Sequence, residues 1–155
     1  MIETHISGIK NAKLRNMFRK AIEYMIEDLC GKRLNLIINV RFGKTHPSIR
    51  GMCIPTDWES SRSPREFDID ISSKLSIKRQ LETLGHELTH AKQFARNELV
   101  DYDNTTTRFR KKIYSSNTPW VKQPWEIEAM GNEEKLRKAF IKEHNIRITE
   151  YEKLL

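Results

Sequence analysis

The pattern of hydrophobic and polar residues changes its period along the chain, and each of the two periods predicts one type of secondary structure. Between residues 10 and 29, apolar side chains recur every three or four positions, which predicts a helix that ends before Gly31. Residues 33–42 alternate with period two and predict a strand. Residues 51–56 and the alternating run 66–71 predict two more strands, with a polar turn over residues 58–64 between them.

A second helix is expected over residues 76–97. Its apolar side chains are spaced by four and three positions and form one narrow seam, which consists of Ile77, Leu81, Leu84, Leu88, Ala91 and Ala95. On a helical wheel His86 and His90 lie on the opposite face, which fits either a cleft-lining helix or a solvent-facing one. Gly85 costs the helix up to about 1 kcal/mol relative to alanine, which suggests that another backbone passes close to it.

The rest of the chain carries weaker patterns. Residues 98–123 are predicted to be irregular and polar, with a short basic strand or hairpin arm at 108–114. A last helix begins near Pro124, a favoured first helical residue, and residues 145–155 either fold back or fray. The predicted class is α+β, with an N-terminal helix, a mixed sheet of about three strands, the helix over 76–97 and a C-terminal helix. We expect one domain over residues 1–155, with a core at about 10–142.

Composition narrows the class of protein. The 155 residues are 37% apolar and 32% charged, and the first residues lack the features of a signal peptide. No run of about 18 apolar residues exists, so no membrane-spanning helix is expected. A cytoplasmic location without a membrane partner is therefore predicted. Cys30 and Cys53 have no C-x-x-C partner, so both are expected to be buried free thiols.

The net charge of +7 is unevenly distributed. Residues 1–50 carry +6, residues 51–104 carry −3 and residues 105–155 carry +4. Such basic flanks could bind nucleic acid or an acidic partner, or they could serve solubility alone. The hypothesis of nucleic-acid binding rests on the first fifty residues and on Arg108, Arg110, Lys111 and Lys112.

The strongest candidate for chemistry is the run His86-Glu87-Leu88-Thr89-His90, which fits the zinc-site pattern H-E-x-x-H. On a helix, residues i and i+4 lie one above the other, so two imidazoles can offer nitrogens to one zinc ion. Glu87 is then placed to act as general base toward a zinc-activated water. Catalytic zinc usually has three protein ligands, and the candidates for the third are Glu126, Glu128 and His144.

The motif also resembles a known family. H-E-x-x-H followed by a downstream helix with E-x-x-A, here Glu126-Ile127-Glu128-Ala129, resembles the gluzincin group of HExxH zincin metallopeptidases. The wider pattern, over roughly residues 33–140, is similar to small SprT-like phage and bacterial proteins. The resemblance implies a zincin-like fold, one Zn²⁺ per chain, a peptide or protein substrate and Glu126 as the third ligand.

The resemblance is incomplete, and it disagrees with the helical wheel on one residue. SprT-like proteases use a third histidine soon after the motif, whereas here none occurs before His144. Met130 stands where thermolysin-like enzymes have an aspartate four residues after the ligand glutamate. The wheel of the last helix sets Glu128 nearer the apolar seam than Glu126, so Glu128 is the alternative third ligand.

The resemblance further implies how a substrate is bound. In zincins the strand before the motif helix is a sheet edge that pairs with extended substrate, a role that falls here to residues 66–72. The substrate-binding residues of that strand would be Asp68, Ile69 and Asp70. A tyrosine or histidine often stabilises the oxyanion. The candidates for that role are Tyr114 and, as alternatives, Tyr102 and His144.

Three functions follow as hypotheses. The first is a small zinc-dependent metallopeptidase that hydrolyses peptide bonds, located in the host cytoplasm if the protein is phage-encoded. The second is a nucleic-acid-associated protein that uses its basic flanks on a zincin scaffold. The third is a structural or partner-binding protein whose zinc site stabilises the fold without catalysis.

Overall fold

The structure is a computed structural model that describes residues 1–57, 63–102 and 105–155. Within these residues it contains four α-helices and a mixed sheet, which confirms the α+β class. Most of the predicted turn over 58–64, and residues 103 and 104 of the segment predicted to be irregular, lie outside the described residues. The elements are β1 (Ile2–Ser7), α1 (Ala12–Cys30), β2 (Leu36–Gly43), β3 (Gly51–Pro55), β4 (Glu66–Ser72), α2 (Ile77–Ala95), β5 (Leu99–Asp101), β6 (Thr106–Phe109), β7 (Lys112–Ser115), a 3₁₀ turn (Trp120–Lys122), α3 (Pro124–Glu143) and α4 (Ile148–Glu152).

The larger sheet has four strands in the order β1-β2-β4-β3. Strands β1, β2 and β4 are parallel, and β3 is antiparallel to β4. The prediction of about three strands missed β1, in which Ile2, Thr4 and Ile6 are less exposed than the residues between them. The period-two pattern is present there, but it is short, and parallel pairing with β2 stabilises it as a strand.

Strand β4 lies inside the sheet, which corrects the expectation that residues 66–72 form an edge. Its backbone is hydrogen-bonded on both sides, and Ile69, for example, pairs with Val40 of β2 and with Cys53 of β3. The physical reason is burial: Phe67, Ile69 and Ile71 are at most 1% exposed, and an interior strand buries such a run most completely. The edges of this sheet are therefore β1 and β3.

Helices α1 and α2 bury their apolar seams in the core they share with the larger sheet. Helix α1 begins after Asn11, whose side chain accepts a hydrogen bond of 3.0 Å from the Leu14 N–H, and Phe18 packs on Phe42 with ring centroids 4.6 Å apart. Helix α2 begins after Ser76, which caps the Arg79 N–H in the same way. The two helices predicted over residues 10–29 and 76–97 are confirmed, and the predicted seam of α2 is at most 2% exposed.

The C-terminal residues fold back onto the core rather than fray. Helix α3 begins at Pro124 as predicted, and after it Ile148, Tyr151 and Leu154 pack against the main core. Among the described helices, none has both the length and the apolar character needed to cross a membrane.

A second, three-stranded sheet of the order β5-β6-β7 occupies the segment predicted to be irregular. The predicted basic hairpin arm is part of the β6–β7 hairpin, whose turn residues Arg110 and Lys111 have φ of 47° and 75°. Turns of this kind favour glycine or asparagine, so an arginine and a lysine at these positions do not predict the turn. Leu99 and Phe109 of this sheet pack with Trp125 at the start of α3, which fixes the N-terminal end of that helix.

Candidate metal centre

The H-E-x-x-H residues lie in an enclosed part of α2, where every residue from 80 to 91 is buried. His86 and His90 are only 9% and 8% exposed, which excludes a solvent-facing pair. The apolar seam of α2 packs in the core, while α3 and β3 also pack against this helix. A helix buried around its whole circumference must satisfy each polar side chain internally, and the partners of the two histidines show how this is achieved.

Helix α3 crosses α2 beside Gly85. A Cβ added at Gly85 would lie 3.4 Å from Leu136 Cδ1 and 3.7 Å from the Asn132 carbonyl oxygen. The same crossing brings the Asn132 amide to 3.2 Å from the Thr89 hydroxyl. The close approach of another chain segment at Gly85 is therefore confirmed, and that segment is the helix that carries Glu126.

Three side chains from α2 and α3 converge at this crossing. The Nε2 atoms of His86 and His90 lie 3.2 Å apart. One carboxylate oxygen of Glu126 lies 3.0 Å from His86 Nε2, and the other lies 3.1 Å from His90 Nε2. These three residues form the group, among the described residues, that could hold a metal ion.

Hydrogen bonds on the outer side of each imidazole decide which nitrogen carries the proton. His86 Nδ1 lies 2.8 Å from Glu133 Oε1, and a carboxylate can only accept. His90 Nδ1 lies 2.9 Å from Gln93 Oε1, and the amide orientation is fixed because Gln93 Nε2 donates to the Trp125 carbonyl and to Glu128. Both Nδ1 atoms therefore donate, which leaves both Nε2 lone pairs directed at the point where Glu126 also lies.

The donor set fits a divalent cation. With both Nδ1 atoms protonated, two imidazole lone pairs and a carboxylate face one another, an arrangement that repels unless a proton or a cation lies between them. In a tetrahedral zinc site with ligands at about 2.0–2.1 Å, neighbouring ligand atoms are about 3.3 Å apart. The separations of 3.0–3.2 Å found here are close to that value.

The pKa values of the cluster report the same convergence. Burial alone would raise the pKa of Glu126, but hydrogen bonds and positive charge from His86 and His90 lower it to about 2. Burial alone would lower the pKa of His90, yet the carboxylates of Glu126 and Glu87 raise it overall. Without a metal the site thus favours a proton on His90 and an ionised Glu126, so protons compete with a cation for the same atoms.

Glu87 lies at the cleft side of α2 and is only 6% exposed. Desolvation raises its pKa, although the nearby histidines act in the opposite direction. Gly51 of β3 lies directly beside it, because a Cβ added at Gly51 would be 3.1 Å from Glu87 Oε1 and 2.6 Å from the Thr83 methyl group. The absence of a side chain at Gly51 lets the edge strand β3 approach the carboxylate.

Glu128, the alternative third ligand, is engaged elsewhere. It accepts hydrogen bonds of 3.1 Å from both Lys92 Nζ and Gln93 Nε2, and it pairs with Arg110 of the β6–β7 hairpin. Two residues apart on a helix, Glu126 and Glu128 point in directions about 200° apart, so only one can face the histidines. The helical wheel could not predict which glutamate faces the histidines, because the rotation of α3 is set by its packing against several elements, among them α2 and the smaller sheet.

The three candidates for oxyanion stabilisation do not line the cleft. Tyr114 packs edge-on against Trp125 with ring centroids 5.5 Å apart, as part of the smaller cluster. Tyr102 is 56% exposed, and His144 packs on Phe140 and Tyr24 near the C-terminal end of α3. Spacing in the sequence could not place them, because each belongs to an element whose position depends on the smaller sheet or on the far end of α3.

A cleft of about 450 Å³ opens onto the cluster and is bordered by β3 rather than β4. Its described lining comprises Ser48, Ile49, Arg50, Gly51, Met52, Cys53, Thr83, His86, Glu87, His90, Trp120, Glu126 and Glu133. The predicted substrate-binding residues Asp68, Ile69 and Asp70 do not border it, because the backbone of β4 is occupied by β2 and β3. Cys53 is a half-buried free thiol in this lining, and Cys30 is a buried free thiol in the main core.

Sequence reasoning missed several residues that surround the cluster. Gln93 lies three positions after His90, one turn along the same helix, and Glu133 lies seven positions after Glu126, two turns along α3. Those spacings are signals that the sequence contains. Arg50 comes from a loop and Trp120 from the 3₁₀ turn, and their presence in the cleft could not be read from any spacing.

The basic residues of the hairpin are only partly available to a partner. Arg108 donates to the Asn97 carbonyl, and Arg110 is paired with Glu128. Lys111 and Lys112 are exposed. Nucleic-acid binding stays a prediction, to be tested by the salt dependence of binding.

Fold and site together define an α+β protein with a buried His-His-Glu group, built at the crossing of two helices, that could hold a metal ion. Comparison of the chain with protein-family models, with curated proteins and with solved structures found no match.

Proposed function

We propose that this protein is a zinc-dependent peptidase that hydrolyses peptide bonds in an extended peptide or protein segment. The observation that carries the proposal is the convergence of His86 Nε2, His90 Nε2 and the Glu126 carboxylate within 3.0–3.2 Å of one another. Two histidines and one glutamate, with a cleft beside them, are a donor set typical of catalytic zinc sites. The H-E-x-x-H spacing and the E-x-x-A match support the same assignment.

Zinc, when bound there, supplies a Lewis acid that polarises a carbonyl and lowers the pKa of a water molecule. Glu87 supplies the proton transfer, since within the described residues its carboxylate makes no hydrogen bond and can accept a proton. The attacking water gives a proton to Glu87 as its oxygen bonds to the peptide carbonyl carbon. The carbon–nitrogen bond then breaks, and Glu87 returns that proton to the leaving nitrogen.

The raised pKa of Glu87 suits both transfers. A carboxylate with an ordinary pKa holds a proton too weakly at neutral pH to accept and return it efficiently. Desolvation brings the pKa of Glu87 closer to neutrality, while His86 and His90 limit the rise. The raised pKa therefore makes Glu87 a stronger base toward the water proton than an ordinary carboxylate, and the same proton is then available to the leaving nitrogen.

The edge strand β3 is the part of the protein best suited to hold the substrate backbone. Among the described residues it pairs with β4 alone, so its other edge offers backbone N–H and C=O groups to an added strand. Gly51 to Cys53 line the cleft, and Gly51 lies beside Glu87. A peptide paired with β3 would therefore pass the metal ligands in extended form, and the partly exposed Trp120 offers an apolar surface in the same cleft.

The test combines metal content with cleavage of a proteome-derived tryptic peptide library, read by mass spectrometry. We expect one zinc per chain in the wild type, loss of zinc and cleavage in His90→Ala, and both retained in His5→Ala, a matched surface control 59% exposed at its side chain. Glu87→Gln should keep zinc and lower cleavage at least about 100-fold. No zinc uptake, no cleavage by the zinc-loaded wild type, or full cleavage by Glu87→Gln would each overturn the proposal. A purely structural zinc site would lose stability without zinc and show no cleavage in any variant.

A further inference from the structure

Arg50 is the one arginine or lysine in the described lining of the cleft. It lies immediately before β3, on the loop that leads into the edge strand, and its side chain is 42% exposed. Around it the lining carries the carboxylates of Glu87, Glu126 and Glu133. Within this described lining Arg50 is thus a single cation among carboxylates, and it faces the space that a substrate would occupy.

The guanidinium of Arg50 is under-used by the protein. Its described side-chain contact is an ion pair of 3.7 Å with Glu133, which is too long for a hydrogen bond. Glu133 is already committed to His86, whose Nδ1 donates to it at 2.8 Å. Arg50 therefore has guanidinium N–H groups free to donate to another acceptor.

Other arginines of the chain are used differently. Arg65 donates to three backbone carbonyls, including that of Ala95 at 2.7 Å, and Arg137 donates to Glu82 in a buried pair. Arg110 pairs with Glu128 and Glu98. These side chains join elements of the fold, whereas the guanidinium of Arg50 reaches into the cleft without joining two elements by hydrogen bonds.

The backbone of Arg50 is nevertheless fixed. Its carbonyl accepts a hydrogen bond of 2.8 Å from the Ser72 N–H, and the next residue, Gly51, pairs with Ile71 of β4. The side chain thus starts from an anchored strand end, next to Gly51, which lies beside Glu87. A substrate strand added to β3 would pass it within a few residues of the bond being cleaved, since a strand advances about 3.3 Å per residue.

We propose that Arg50 selects substrates by binding a substrate carboxylate in the cleft, an inference that rests on the proposed peptidase function. A guanidinium presents a planar fork of N–H donors that matches a carboxylate, and such charge-assisted pairs are the strongest hydrogen bonds available to a peptide. The carboxylate belongs either to an Asp or Glu side chain close to the scissile bond or to the C-terminus of the peptide. Both sources share the same chemistry, and the position of cleavage separates them.

The experiment uses the full-length, zinc-loaded protein and the same tryptic peptide library. Wild type is compared with Arg50→Gln and with Arg41→Gln, in which an arginine paired with Asp70 in the larger sheet loses the same charge away from the cleft. If the carboxylate is a side chain, we expect wild type and Arg41→Gln to cleave peptides with Asp or Glu enriched within about three residues of the cleaved bond. If it is the C-terminal carboxylate, we expect both proteins to cleave within about three residues of the peptide C-terminus. Arg50→Gln should lose the enrichment and still cleave other peptides.

Synthetic peptides taken from the cleaved sequences then quantify the effect. For an acidic side chain, a Glu peptide is paired with its Gln counterpart; for a C-terminal carboxylate, the free acid is paired with the amide. Loss of one charged hydrogen-bonded pair predicts that Arg50→Gln lowers kcat/KM about tenfold or more for the carboxylate peptide and changes its neutral partner far less. Arg50→Lys should be intermediate, because an ammonium cannot form the planar fork.

A second readout does not depend on turnover. Binding of the same labelled peptide pairs to Glu87→Gln, measured by fluorescence polarisation, should show a Kd lower for the carboxylate peptide, and adding Arg50→Gln should remove that difference. Cleavage without carboxylate enrichment, or enrichment that persists in Arg50→Gln, would overturn the role of Arg50 and leave the peptidase intact. Complete absence of cleavage by the zinc-loaded wild type would instead overturn the proposed function, and this inference with it.

Discussion

Glu133 offers a prediction whose size follows from the structure. Its carboxylate accepts the hydrogen bond from His86 Nδ1 at 2.8 Å, and its side chain is 16% exposed. Replacing Glu133 by alanine removes the acceptor that holds His86 in the tautomer whose Nε2 can bind a metal. We therefore expect Glu133→Ala to weaken zinc binding even though Glu133 lies outside the group of three converging donors.

Two routes give a similar magnitude for this loss. A hydrogen bond to a charged group contributes about 1.5–3 kcal/mol, and partial burial of Glu133 limits screening by solvent. Removal of a residue that supports a metal ligand typically lowers metal affinity about 10–100-fold, which corresponds to about 1.4–2.8 kcal/mol. The contact with Arg50 adds little, because it is 3.7 Å long and the Arg50 side chain is 42% exposed.

The assay is competition for zinc with a chromogenic chelator, with circular dichroism to confirm folding. Glu134→Ala is the matched control, since it removes the same charge from the neighbouring, exposed residue, which pairs only with α3 side chains. Glu133→Gln keeps an acceptor and loses the charge, so its zinc Kd should lie between those of wild type and Glu133→Ala. A zinc Kd for Glu133→Ala within about twofold of wild type, or an equal loss in Glu134→Ala, would refute the assignment.

Three further predictions concern the surroundings of the cleft. Gly51→Ala should lower the free energy of unfolding by about 1–3 kcal/mol in urea titrations, because the added methyl would lie 2.6 Å from the Thr83 methyl group. Gly43→Ala is the control, since an added methyl there would meet no atom within 4 Å, and it should not show this loss. Gly85→Ala should raise the free energy of unfolding by up to about 1 kcal/mol, since the methyl would meet α3 at 3.4 Å, an ordinary contact, and alanine favours the helix; a clear loss would contradict this. Cys53 should react with iodoacetamide at pH 8 more slowly in the folded protein than in urea, because burial and the charge of Glu87 raise its pKa well above the ordinary thiol value; equal peptide-resolved rates would contradict this.

The residues of the candidate site differ in how far the sequence could reveal them. The positions of His86, Glu87 and His90 follow from helical periodicity, because a helix brings residues four apart together without any help from the rest of the fold. The same reasoning predicted the seam of α2, which is almost completely buried. The contact of Gln93 with His90 could have been predicted in the same way, because the two residues lie one turn apart on the same helix.

Periodicity along the chain could not predict which strand forms the edge of the sheet. Period two identifies β4 as a strand, but it does not say which strands pair with it. Pairing on both sides made β4 interior and left β3 at the cleft, so the predicted substrate residues Asp68, Ile69 and Asp70 do not border the cleft. The smaller sheet was missed for a related reason, because its three- and four-residue strands are stabilised by pairing and by the contact with Trp125 rather than by a local pattern.

The sequence by itself determined the three long helices, the strands β2 to β4 and the spacing of the two histidines, because each of these depends on interactions within a few residues. Only the tertiary structure decided which of Glu126 and Glu128 faces the two histidines. The two differ by about 200° around α3, and the rotation of that helix is set by its contacts with α2 at Gly85 and with the smaller sheet at Trp125. The same packing brings Glu133 to His86 and Arg50 into the cleft, since contacts between residues distant in sequence depend on how whole helices and strands pack.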